Sequence, residues 1–110
     1  MEPLKLHADF AYLPAMYADS YFPRPLVNRV RQAIARVAVA LEAGERRPAR
    51  VQQQLDQMTR RINALQADFA DHGSELETGA RDSIAETVER LLAWFGVAID
   101  LEEALREREW

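Results

Sequence analysis

The chain has no cysteine, so disulfide frameworks, thiolate catalysis and thiolate metal sites are all excluded. The same absence agrees with a reducing, cytoplasmic setting. Only four glycines occur in 110 residues. None falls in a G-x-G-x-x-G or Walker A pattern, which argues against a backbone cradle for phosphates. No apolar run nears the roughly 18 residues of a membrane span. The start, Met1 to His7, lacks a basic stretch leading into an apolar one, so no signal peptide is expected. Histidine is confined to His7 and His72. Asp68, His72 and Glu75 could share one side of a helix end, but no H-E-x-x-H pattern supports a metal, and neither metal nor cofactor is expected. Ser20, Ser74 and Ser83 have no G-x-S-x-G context for a nucleophile.

What the chain does have is helical periodicity. Val27, Val30, Ile34, Val37 and Leu41 form one series with gaps of three and four. Val51, Leu55, Met58, Ile62, Leu65 and Phe69 form a second, and Ile84, Val88, Leu91 and Phe95 a third. Such gaps return side chains to one face of an α-helix, and a one-sided apolar helix needs a partner in water. No stretch alternates with period two. The expectation is an all-α domain spanning residues 1–110, a compact bundle of three main helices and two short flanking ones. Residues 1–9 read as a poorly ordered start. Leu13 to Asp19 reads as a short helix lying over the core. The main helices are expected at about 25–43, 48–71 and 74–95, with a short terminal helix from Asp100 to about Glu107. Pro25 and Pro48 suit first turns, and Gly44, Gly73 and Gly96 suit stops. Ser74-Glu75-Leu76-Glu77 has the form of a capping box. Gly79, near a helix start, would admit a neighbour at close range.

Composition is ordinary for a soluble domain, at 48% hydrophobic and 29% charged residues. The net charge of −4 is unevenly spread. Residues 24–50 carry seven arginines against two glutamates, a net +5, whereas residues 66–110 carry four arginines against twelve acids, a net −8. The simplest consequence is a basic helix pairing with an acidic one. A basic face built from Arg29, Arg36, Arg46, Arg47 and Arg50 is the other reading, but the acidic pI of about 5.2 speaks against nucleic acid. Phe10, Tyr12, Tyr17, Tyr21 and Phe22 cluster early with only Lys5 and Arg24 close in sequence, which points to core packing. Asp82, Glu86 and Glu89 form an acidic stripe at helical spacing.

Two segments, Met16 to Pro23 and Gly73 to Glu86, contain the strings DSYFP and GSELETGARDSIAE. Through them the chain resembles a family of small uncharacterised bacterial helical proteins, a domain of unknown function, over nearly its whole length. Gly79 stands where a larger apolar residue would be expected. The resemblance implies a helical cytoplasmic bacterial protein and no particular activity. If the two segments meet, Asp19, Tyr21, Arg81, Asp82 and Glu86 become candidate contact or pocket residues. The function expected is a non-enzymatic, immunity-like or accessory module whose partner is another protein, with a homodimer as one form. The alternative is a small-ligand binder or enzyme using those five residues.

Overall fold

A computed structural model describes residues 5–110. Six helices run in order: α1 Pro14–Ala18, α2 Arg24–Glu42, α3 Pro48–Ala64, α4 Gln66–Asp71, α5 Thr78–Trp94 and α6 Leu101–Ala104. No strand occurs among the described residues. The all-α expectation therefore holds, with α2, α3 and α5 as the main helices. No described helix is long and apolar enough to cross a membrane.

Local chemistry sets the ends. Proline opens α1, α2 and α3, where its missing N–H costs no intrahelical bond. Gly44 (φ +97°) and Gly96 (φ +67°) end α2 and α5 in left-handed geometry. The amide of the next residue then reaches back into the last turn: Glu45 N–H donates to Ala40 O and Val97 N–H to Leu92 O.

Two boundaries differ from the sequence expectation. The helix from Pro48 does not run unbroken to Asp71. At Leu65 the amide bonds three residues back, to Ile62 O at 3.0 Å, and this tighter turn sets off α4. The backbone stays near helical angles, so Phe69 remains on the apolar seam and is fully buried. Nor does Ser74 start α5. Its amide already donates to Phe69 O at 2.9 Å, locking the end of α4 around Gly73. The Ser74 hydroxyl is buried without a hydrogen-bond partner, and α5 begins four residues later behind an extended Glu77. The terminal helix is also shorter than expected, ending at Ala104.

The seams meet as periodicity requires. Val27, Val30, Ile34, Leu55, Met58, Ile62, Ile84, Val88 and Leu91 are all fully buried. α2 and α3 form an antiparallel hairpin. The most extensive backbone contacts of α5 are with α1 and α6, and these two short helices also touch α2 and α3 respectively. They are wedges joining α5 to the hairpin. The body measures 47 × 27 × 17 Å.

The C-terminal segment is fastened along a polar flank of α3. Gln52 Nε2 donates to Asp56 Oδ1 and to Glu103 O, each at 2.9 Å. Arg106 grips Asp56 with two bonds, Nε to Oδ1 at 3.1 Å and Nη2 to Oδ2 at 2.7 Å. Arg60 meets Glu107 at 2.8 Å, and Asn63 bonds the backbone of both Glu107 and Glu109. So the terminal acids are balanced by Arg60, Arg106 and Arg108, not by the basic stretch of α2. Among the described residues Arg29–Asp68, at 3.5 Å, is the one ion pair joining residues 24–50 to the acidic half.

Burial alone would raise the Asp56 carboxyl. The bonds from Arg106 and Gln52, aided by the charges of Arg106 and Arg60, outweigh it and hold the group below its ordinary value. A carboxyl whose pKa is lowered on folding stabilises the fold above its unfolded pKa and loses that contribution as pH falls below about 4. Asp56→Asn is expected to cost about 1–3 kcal/mol at neutral pH. In urea unfolding at pH 6.5 and pH 3, the variant should lose less stability between the two than the parent does.

Candidate functional site

One site is built where residues 5–18 cross between α2 and α5. The segment is tied to both helices: Leu6 N–H donates to Glu42 Oε2 at 3.0 Å, and Trp94 Nε1–H to Lys5 O at 2.9 Å. Arg90 Nη2 donates to Ala11 O at 2.9 Å while its guanidinium lies 5.4 Å over the Phe10 ring. Residues 5–9 are thus held against the body by specific contacts, in place of the poorly ordered start expected. Met1 to Leu4 lie outside the described residues.

Leu13 is the pivot. Its backbone is left-handed (φ 52°, ψ 48°), which no other non-glycine described residue adopts. For a leucine this geometry costs about 1–2 kcal/mol. Two things offset it: the side chain is wholly buried, and the amide donates to the buried Thr87 Oγ1 at 3.1 Å. The chain turns at Leu13 straight into α1, whose Met16 is also fully buried.

With Leu13 and Met16 anchored inward, Phe10, Tyr12 and Tyr17 stand half-buried beside α2. Arg24, Asn28 and Arg31 recur there at intervals of four and three, so they share one flank of the helix. Together these six line an open cleft of about 380 Å³. Arg24 Cζ lies 5.8 Å from the Tyr17 ring centroid and Arg31 Cζ 5.0 Å from that of Tyr12. Tyr17 Oη donates to Asn28 Oδ1 at 2.6 Å. Neither Arg24 nor Arg31 is in an ion pair with a carboxylate among the described residues. Burial pushes the Tyr12 phenol up, Arg31 pulls it down and Glu42 adds to the rise, so the hydroxyl stays protonated near neutral pH. The cleft presents two guanidiniums, the Asn28 amide NH₂ and a phenol O–H. All four are donors, and the one amide acceptor is taken by Tyr17. A donor set of this kind can pair with anionic oxygen.

Asp19, Tyr21, Arg81, Asp82 and Glu86 are all exposed. Asp19 Oδ1 accepts from its own turn, from Tyr21 N–H at 2.9 Å. The turn does come against the start of α5, but through Phe22. That ring is buried, meets Phe69 edge-on at 6.5 Å, and is the neighbour nearest Gly79. Arg81 lies about 200° round the helix from Gly79, at 100° per residue. Among the described residues no hydrogen bond or ion pair joins Asp19 or Tyr21 to Arg81, Asp82 or Glu86.

Several of the remaining sequence candidates are engaged elsewhere. Asp68 faces Arg29, and His72 Nδ1 sits 2.8 Å from Asp68 O at the end of α4. Arg46 donates to Leu41 O and Glu45 O and lies over Phe95, while Arg47 grips Glu45 and draws that carboxyl down to about 2. The Glu75 carboxyl is raised by a hydrogen bond shared with Glu77 and by that neighbour's charge.

A family model covers residues 6–110. The chain belongs to the family of unknown function DUF5713. No curated protein and no solved structure matches it. In this DUF5713 chain the aromatic cluster is therefore not core packing alone. Tyr17 holds Arg24, which is close in sequence, and Tyr12 holds the more distant Arg31. The available signal was the Arg24–Asn28–Arg31 spacing, which marks a polar flank beside the Val27–Val30–Ile34 seam.

Two outcomes follow for stability. Thr87→Val keeps the shape but leaves the Leu13 amide buried without an acceptor, an expected loss of about 1–3 kcal/mol in urea unfolding, with faster hydrogen exchange at Leu13. Gly79→Ala should stabilise by about 0.4–1 kcal/mol. Its backbone has no left-handed requirement, and an added Cβ would meet only Phe22 Cζ at 4.0 Å; a loss in the same assay would contradict this packing.

Proposed function

We propose that this protein is a cytoplasmic, non-enzymatic accessory module that docks an acidic segment of a partner protein in the cleft between α1 and α2. The observation that carries the reading is the state of Arg24 and Arg31. Each is placed over a tyrosine ring and neither is matched by a carboxylate among the described residues. Several other arginines are paired with acids: Arg47 with Glu45, Arg60 with Glu107, Arg106 with Asp56. An arginine held against an aromatic face keeps its planar fork ready for a carboxylate, and it loses less side-chain freedom on binding than a loose one would. Lys5 is the only lysine in the chain, so the basic surface is almost wholly of the residue type suited to bidentate contact. The overall acidity of the protein repels acidic partners generally and leaves this cleft as a local exception.

A fluorescent hexaglutamate peptide, followed by anisotropy at low salt, tests the reading. It should bind the parent, and Arg24→Gln and Arg31→Gln should each weaken binding about 10–100-fold, from loss of a charge-assisted bond of about 1.5–3 kcal/mol. Arg36→Gln, on the exposed back of α2, should change it little. Equal weakening by all three would reduce the effect to bulk charge and remove the cleft from the account.

A further inference from the structure

Charge is left unmatched in a second place besides the cleft. Most acids are engaged within the fold, in ion pairs, as Asp56 and Glu45 are, or with backbone amides, as Asp19 and Glu42 are. Among the described residues, the carboxylates in no hydrogen bond or ion pair are those of Asp71, Asp82, Glu86, Glu89 and Asp100. Asp71 ends α4 and Asp100 precedes α6, each on its own element. The other three stand together on α5 in successive turns, and all three are exposed. At 100° per residue they fall within an arc of about 60°. Ala93 continues the same stripe and is exposed, so this side of the helix can be approached closely.

The unmatched arginines and the unmatched acids are of opposite sign, and one folded chain does not join them. α1 is wedged between α2, which carries the arginines, and α5, which carries the acids. No hydrogen bond or ion pair links Arg24 or Arg31 to Asp82, Glu86 or Glu89 among the described residues. A foreign acidic partner would account for the cleft and leave the stripe without a role. A second copy accounts for both. Resting on the acidic-partner reading above, we infer that the partner is a second copy of this chain, whose α5 lies across the open cleft and meets Arg24 and Arg31 with the carboxylates of Asp82, Glu86 and Glu89. The helix stays outside, and only its acidic side chains enter. Guanidinium against carboxylate is among the stronger charge-assisted contacts. The contact works against a net charge of −4 on each copy. In about 0.1 M salt that repulsion is screened beyond about 10 Å, whereas pairs partly buried at an interface are screened much less.

Light scattering over a concentration series in about 0.1 M salt tests this. The weight-average mass of the parent should rise above the 12.6 kDa of one chain and fall back when hexaglutamate is added. Two charge-reversed variants, each checked for parent-like circular dichroism, locate the contact. One carries Arg24→Glu with Arg31→Glu at the cleft, the other Glu86→Arg with Glu89→Arg on the stripe. Each alone should weaken self-association about tenfold or more. Mixed in equal amounts they should recover it, because the intact stripe of one meets the intact cleft of the other. Self-association kept by either variant, or no recovery on mixing, would overturn this contact. A parent that stays at the mass of one chain yet binds hexaglutamate would overturn the second copy as partner and leave the acidic-segment cleft standing. Failure both to associate and to bind hexaglutamate would instead remove the docking reading on which it rests.

Discussion

The structure depends on how residues 10–18 are wedged between α2 and α5. The main helices offer apolar seams, yet α5 makes its most extensive backbone contacts with two short helices and not with the hairpin itself. Leu13 and Met16 fill the space on one side and are wholly buried there. Entry at that depth requires the chain to reverse sharply, and Leu13 does so in a left-handed conformation that leucine disfavours. The hydrogen bond to Thr87 Oγ1 and the burial of the side chain hold it there. Everything facing outward from this segment is placed by what faces inward.

A second wedge works on other chemistry. The C-terminal segment buries Ala104, Leu105 and Trp110, but its register comes from polar groups spaced along α3. Gln52, Asp56 and Arg60 each take one partner from the descending chain, and Asn63 takes two. Several of these bonds end on backbone atoms, which fixes position along the helix as hydrophobic contact alone does not. The uneven charge of the sequence is thereby resolved locally. The terminal acids are consumed by arginines of their own neighbourhood, and the basic flank of α2 is left without them.

Much of the fold was legible in the residues. Gaps of three and four named the buried side chains of α2, α3 and α5 almost without error, because burial is what those gaps encode. Proline starts and glycine stops held for the same local reason. Ser74-Glu75-Leu76-Glu77 misled because one amide cannot serve two helices, and the end of α4 took it first. The cleft was harder to read. Its walls are fixed by Leu13 to Thr87, 74 positions apart, and Ala11 to Arg90, 79 apart. Local spacing carries no trace of such pairings. Tyr12 and Tyr17 were visible as an aromatic cluster, but their arginines stood on another element. Of the residues singled out by the two recognisable segments, Asp19 serves its own turn and Phe22 makes the contact with α5.

The central claim is that an inwardly anchored N-terminal segment holds two tyrosine rings over two arginines that lack acidic partners among the described residues. Proton NMR of the unbound protein reads this directly through ring currents. The account predicts upfield-shifted Hδ resonances for Arg24 and Arg31, with cross-peaks to the Tyr17 and Tyr12 rings, and loss of both when Leu13→Ala frees the segment while the α2–α3 hairpin stays folded. Ordinary Hδ positions and no tyrosine cross-peaks in the folded parent protein would contradict it.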